Sequence, residues 1–206
     1  MTTAQRERAA LVEALRQAGP DAPTLCEGWT TRDLAAHLVI REYRPDSMPG
    51  LAIPLLAGYT AKVQEQVAES TPYEEMLAKI ASGPPVFSPL KLVDSVVNTG
   101  EMFIHHEDVR RAAPEWEPRE IDDETVAALR RTLQVMARAT LSRMPGRVAL
   151  RTPEGQTLLT AGSGPTVTVT GDPAELLLFA VGRKARVDIE GDDETVRAVR
   201  EAPKGL

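Results

Sequence analysis

Cysteine occurs once in this chain of 206 residues, as Cys26. One thiol cannot close an internal disulfide, so the fold is no disulfide framework and a reducing cytoplasm is the expected compartment. Aromatic residues are also scarce, at 4% against a hydrophobic content of 42%. The core must therefore rest on Leu, Val, Ile and Ala, which favours packed helices over an aromatic-rich sandwich. A surplus of positive charge is missing too: 24 Lys and Arg face 30 Asp and Glu, for a net charge of −6. Nucleic acid is not an expected partner, because a phosphate backbone selects a dense basic surface. No run approaches the ~18 apolar residues needed to cross a bilayer. The opening MTTAQRERAALVEAL is charged and has no apolar signal core. Neither a membrane partner nor an obligate oligomer is expected, and a monomer is the default.

The patterning predicts helices first and strands later. Ala4, Leu11, Leu15 and Ala18 form a stripe that predicts a helix over about 3–18, stopped by Gly19-Pro20. A loop, DAPTLCEGW, leads to a second helix opening at Thr30, with Asp33 in a capping-box position. Leu34, His37, Leu38 and Arg41 share one face of it. Pro45 to Pro54 reads as a loop, followed by helices near 53–67 and 72–81. A long helix over about 90–112 and another opened by Asp122 or Asp123 complete this part. From Pro145-Gly146 the character changes. RVALRT, QTLLTA and TVTVTG are short β-branched runs, Asp172-Pro173-Ala174-Glu175 is a helix start, ARVDIEG a strand, and DDETVRAVREA a last helix. The expected division is a helical part, 1–144, and a small α+β part, 145–206.

The three histidines, His37, His105 and His106, carry the functional signal. In NTGEMFIHHEDVRRA, Glu101 and His105 stand four residues apart and project from one helix face. Leu90, Val93, Val97 and Ile104 lie along the same face, so it is the buried one. A carboxylate there must be paired, protonated or bound to a metal. His37 has the same setting on the Leu34/Leu38 stripe. Two histidines and one glutamate suit a catalytic zinc site with an open fourth position. The same donors also accept nickel, iron or manganese. The bland alternative is two core histidines and a helix-surface hydrogen bond. His106, turned about 100° from His105, is an outer partner, a proton carrier or an ordinary edge residue. Asp108 could hold the His105 tautomer, or pair with Arg111 or Arg41. Cys26 reads as a structural thiol, Trp29 as a packing anchor, and Trp116 as a docking residue between the two parts.

Two segments, TLCEGWTTRDLAAHL and GEMFIHHEDVRRA, resemble the DinB-like and mycothiol-dependent maleylpyruvate isomerase family. Gly28, Trp29, Thr30, Asp33 and His37 match its first element, and Glu101, His105, Glu107, Asp108 and Arg110 its second. The tail GDPAELLLFAVGR…VDIEGD is similar to that family's small C-terminal domain, related in shape to sterol-carrier domains. The resemblance implies an α+β protein: an N-terminal DinB-like four-helix bundle holding a divalent metal, zinc, through His37, Glu101 and His105, with an active site shared with the second domain. It also implies a low-molecular-weight thiol, mycothiol (bacillithiol in relatives), that attacks a small electrophile. Family members handle an anionic substrate with an arginine of the C-terminal domain. Arg183 is the candidate, against Arg151 and Arg186, and its competing role is to cap the LLLFAVG helix. The expected activity is a metal-dependent thiol transferase or isomerase. The alternatives are a metal-binding protein with a structural or sensing role, and a carrier of an apolar ligand.

Overall fold

The structure, a computed structural model, describes residues 1–47, 53–85 and 95–202. These form two compact units, Met1–Trp116 and Glu117–Leu206. Helix α1, Thr3–Ala18, opens with a capping box between Thr2 and Gln5. It ends where Gly19 takes a φ of 77° and donates its N–H to the Leu15 carbonyl. Helix α2, Thr31–Tyr43, opens with the Thr30/Asp33 capping box that its sequence predicts. Helices α3, Ala57–Ser70, α4, Tyr73–Ser82, and α5, Ser95–Arg110, follow. Leu90 and Val93, predicted for the buried face of the long helix, lie outside the described residues, as does half of the predicted loop before α3.

One apolar core joins these helices. Leu11 and Leu15 of α1, Leu34 and Leu38 of α2, Met76, Leu77 and Ile80 of α4, and Met102 of α5 meet in it. The arrangement is consistent with the expected four-helix bundle. Beside that core runs a buried ion pair. Arg8 of α1 donates through Nη1 and Nη2 to the two carboxylate oxygens of Glu42 on α2, at 2.9 and 2.5 Å. Arg8 Nη1 also donates to the Ile80 carbonyl of α4 at 2.8 Å. A planar guanidinium matches a carboxylate edge, so this one side chain ties three helices in register.

The second unit begins with α6, Asp123–Leu141, capped by Asp122. Four strands follow: β1 (Gly146–Arg151), β2 (Thr157–Ser163), β3 (Thr166–Thr170) and β4 (Asp188–Glu190). The sheet order is β2-β1-β3-β4, with β1 and β3 parallel and the outer pairings antiparallel. Val148, Leu150, Val167 and Val169 are buried, as period-two alternation requires. Helix α7, Pro173–Ala180, is buried on every side, and α8 spans Asp193–Glu201. The protein is therefore α+β, as expected. The division differs from the expected one at 144/145. Helix α6 packs on α7 and on β2, so its Leu129 and Leu133 stripe closes the second unit's core instead of the first's.

The buried Arg8–Glu42 pair yields a stability test. Glu42→Leu is expected to cost about 3 kcal/mol, because it strands a buried guanidinium. Adding Arg8→Met should recover most of that loss. Urea unfolding of the single and double variants measures both.

Candidate metal centre

Two helices and one turn of the first unit build the centre. Helix α2 presents His37 and Arg41, α5 presents Glu101, His105 and Asp108, and the turn before α2 presents Cys26 and Trp29. The turn is held locally: Thr24 Oγ1 accepts from the Cys26 N–H at 3.1 Å and donates to the Trp29 carbonyl at 2.9 Å. Gly28 has a φ of 76°, a left-handed value that glycine adopts freely. The Leu25 N–H donates to the Asp108 carbonyl at 3.0 Å, which fastens the turn to α5.

Glu101 is the meeting point. Its Oε1 lies 3.3 Å from His105 Nε2, 3.4 Å from Arg41 Nε and 3.7 Å from His37 Nε2. The His37 and His105 rings are 5.4 Å apart between centroids, and the Trp29 ring lies 5.1 Å from His37. On its other side His105 Nδ1 is 2.9 Å from Asp108 Oδ2. The same oxygen is 3.2 Å from Cys26 Sγ. His37 Nδ1 is buried and has no hydrogen-bond partner among the described residues.

These surroundings fix the charges. Burial pushes Glu101 up, but the imidazoles of His105 and His37 and the Arg41 charge outweigh it and hold the carboxyl well below its usual value. Burial lowers His37, only partly offset by Glu101, so this ring is neutral. Burial would also lower His105. The bonds to Asp108, Cys26 and Glu101 prevail and lift it well above the ordinary histidine value. Without a metal, the centre is thus a protonated His105, an ionised Glu101 and a neutral His37.

The donor set fits a divalent cation. The ligating atoms of His37, Glu101 and His105 all lie within 4.8 Å of one another, so small rotations bring them around one ion. Nitrogen and carboxylate oxygen suit zinc and its neighbours in the transition series. A second group, Cys26, His105 and Asp108, meets the same distance criterion. It shares His105 through the opposite ring nitrogen.

The structure brings together the three residues that the sequence singled out and sets Asp108 against Nδ1 of His105. Arg111 bonds Glu107, at 2.5 Å, and stacks over Trp116. His106 belongs to neither donor group; its Nδ1 faces Glu7 of α1 at 3.4 Å. In the second unit Arg183 follows α7, and its Nη1 donates to the Val181 carbonyl at 3.1 Å. Arg186 pairs with Glu117. Two participants escaped sequence reasoning. Arg41 falls on the His37 face, which was the available signal. Cys26 gave none, because its partner is 82 residues away.

Residues 1–83 match the family model described as the mycothiol maleylpyruvate isomerase N-terminal domain. Over these residues the helical unit is similar to that domain. The match contains the Cys26–Thr30 turn and His37, while Glu101 and His105 lie beyond it. Two solved structures resemble almost the whole chain. A mycothiol-dependent maleylpyruvate isomerase is 15% identical, with a TM-score of 0.56, over 99% of this chain and 93% of that one. A histidine-to-alanine mutant described by the same name is 14% identical, with a TM-score of 0.57 and the same coverage. At these identities the likeness concerns the fold. No curated protein matches the sequence.

The charge pattern predicts how stability of the chelator-treated protein depends on pH. His105, raised in the fold, stabilises fully below its ordinary value of 6.5 and loses that contribution as pH climbs toward its folded value. His37, lowered in the fold, costs stability as pH falls below 6.5. Glu101, held low, adds stability above its ordinary 4.5 and loses it below. The stability gap between wild type and His105→Gln should therefore narrow as pH rises from 6.5. A gap independent of pH in urea titrations would contradict the assignment.

Proposed function

We propose that this protein holds one divalent cation, zinc, through His37, Glu101 and His105, and that it is a mycothiol-dependent transferase or isomerase acting on a small electrophile. The observation that supports this best is the convergence of two imidazoles and a carboxylate on one buried point, in a helical unit whose residues 1–83 match the mycothiol maleylpyruvate isomerase N-terminal domain. Three protein ligands leave a tetrahedral ion one position for an exogenous molecule. A divalent cation there supplies acidity, so that a coordinating thiol loses its proton and becomes a nucleophile at neutral pH.

The chain's own residues prepare that chemistry. Asp108 accepts the Nδ1 proton of His105, which leaves Nε2 to ligate. The neutral His37 already offers an electron pair. Arg41 keeps Glu101 ionised and in place. Before a cation enters, His105 must give up its second proton, so binding strengthens as pH rises. Trp29 shields one side of His37. His106 and Arg183 take no part in this reading, because Glu7 engages the one and the Val181 carbonyl the other.

Elemental analysis of the purified wild type and His37→Ala, followed by thiol titration of the cobalt-substituted wild type, tests the proposal. One metal ion per chain, lost in the variant, with cobalt absorption that shifts on adding mycothiol, is the expected outcome. Absence of metal after loading with zinc would return His37 and His105 to core histidines. Bound metal indifferent to every thiol would favour a structural or sensing role instead.

A further inference from the structure

The metal reading gives Cys26 no task, yet the thiol stands in the middle of the arrangement. Its Sγ lies 3.2 Å from Oδ2 of Asp108, and that same oxygen lies 2.9 Å from Nδ1 of His105. In this contact the Cys26 thiol donates and the Asp108 carboxylate accepts. Asp108 is wholly buried. A carboxylate in that position depends on the donors around it, since removing one leaves an acceptor that is costly to bury. The backbone reinforces the link, because Leu25, next to Cys26, donates its N–H to the carbonyl of Asp108. Four residues from Leu25 in the same turn, Trp29 lays its ring against His37. One short turn therefore touches the supports of both imidazoles.

We propose that Cys26 is a positioning residue for the cation site: its thiol, acting through Asp108, fixes the plane and tautomer of His105 so that Nε2 faces Glu101 and His37. The inference rests on the metal reading above. It differs from a simple packing role, in which Cys26 would only fill space against Trp29 and the apolar core. It differs too from direct ligation, in which the thiol would itself bind an ion with His105 Nδ1 and Asp108.

Three full-length variants separate these roles. Cys26→Ser keeps a donor at nearly the same place, Cys26→Val keeps apolar volume without a donor, and Cys26→Ala removes the donor without adding bulk. Zinc dissociation constants are measured by competition with a chromophoric chelator, alongside thermal melting of each metal-free protein and the cobalt spectrum of each loaded one. Cys26→Val and Cys26→Ala are expected to bind zinc about tenfold more weakly, the lower end of what loss of an outer hydrogen-bond partner costs. Cys26→Ser should bind as wild type does, and the wild-type cobalt spectrum should lack thiolate-to-cobalt charge transfer. Should the valine variant fail to fold, the alanine and serine variants carry the comparison. Unchanged affinity in the donorless variants would overturn the proposal, as would a serine variant as weak as they are, which would indicate packing. A thiolate charge-transfer band that disappears in Cys26→Ser would also overturn it, by making Cys26 a ligand. A wild type that binds no zinc sinks the metal reading and this inference together, whereas zinc-binding wild type with indifferent Cys26 variants sinks only this one.

Discussion

A single carboxylate oxygen organises the helical unit's chemistry. Oε1 of Glu101 faces Arg41, His105 and His37 in a region with little solvent. An ionised carboxylate in such a place is tolerated only when opposite charge and donors surround it. Glu101 thus imposes conditions on two helices. Helix α2 must present Arg41 and His37 one turn apart on the same face, and α5 must present His105 one turn beyond Glu101. The charge pattern follows: His105 is raised because Glu101 and Asp108 sit on opposite sides of its ring, while His37 is left neutral by burial.

Holding the helices to that geometry is work for polar contacts as much as for the apolar core. Leucine packing fixes how closely helices approach and leaves their rotation and axial slip weakly defined. The buried pair of Arg8 with Glu42, extended to the Ile80 carbonyl, allows one register among α1, α2 and α4. Between α1 and α5, His106 faces Glu7. On α5, therefore, neighbouring histidines do different things: His105 looks to the centre and His106 to α1. A turn of about 100° between successive residues is enough to separate a ligand from a helix-docking contact.

That separation marks what the sequence could and could not reveal. Glu101 and His105 were legible because a four-residue spacing places them on one face whatever the tertiary structure, and His37 because a histidine interrupts an apolar stripe. Helix starts at Thr30 and Asp122 were legible for a similar reason, since caps are local chemistry. Partner choice is not local. Asp108 had three candidate partners in the sequence, and the fold sets against it both His105 and a thiol that the sequence did not offer. Cys26 and Asp108 are brought together by the approach of a turn to a helix far along the chain. For the same kind of reason, the unit that takes up α6 was not legible. Its amphipathic stripe says that it must be buried and is silent on which core takes it, and the apolar α7 and strand β2 supply that surface.

Without a cation, the centre is held by its own charges. In the proposed reading a proton on His105 Nε2 takes the place that the cation would occupy, and Glu101, 3.3 Å away, would stabilise either one. The three proposed ligands would therefore start close to the arrangement a cation needs, which lowers the cost of ordering them. The same feature makes the proton a competitor of the metal, because any donor set strong enough to hold an imidazolium against burial opposes its release. Outer contacts settle the balance. In the proposed reading Asp108 accepts from the Nδ1–H of His105 with or without a cation, so that exchange would be confined to Nε2. With exchange confined to one ring nitrogen, the position of that nitrogen becomes the quantity the fold must control, and the Cys26–Trp29 turn is the element placed to control it.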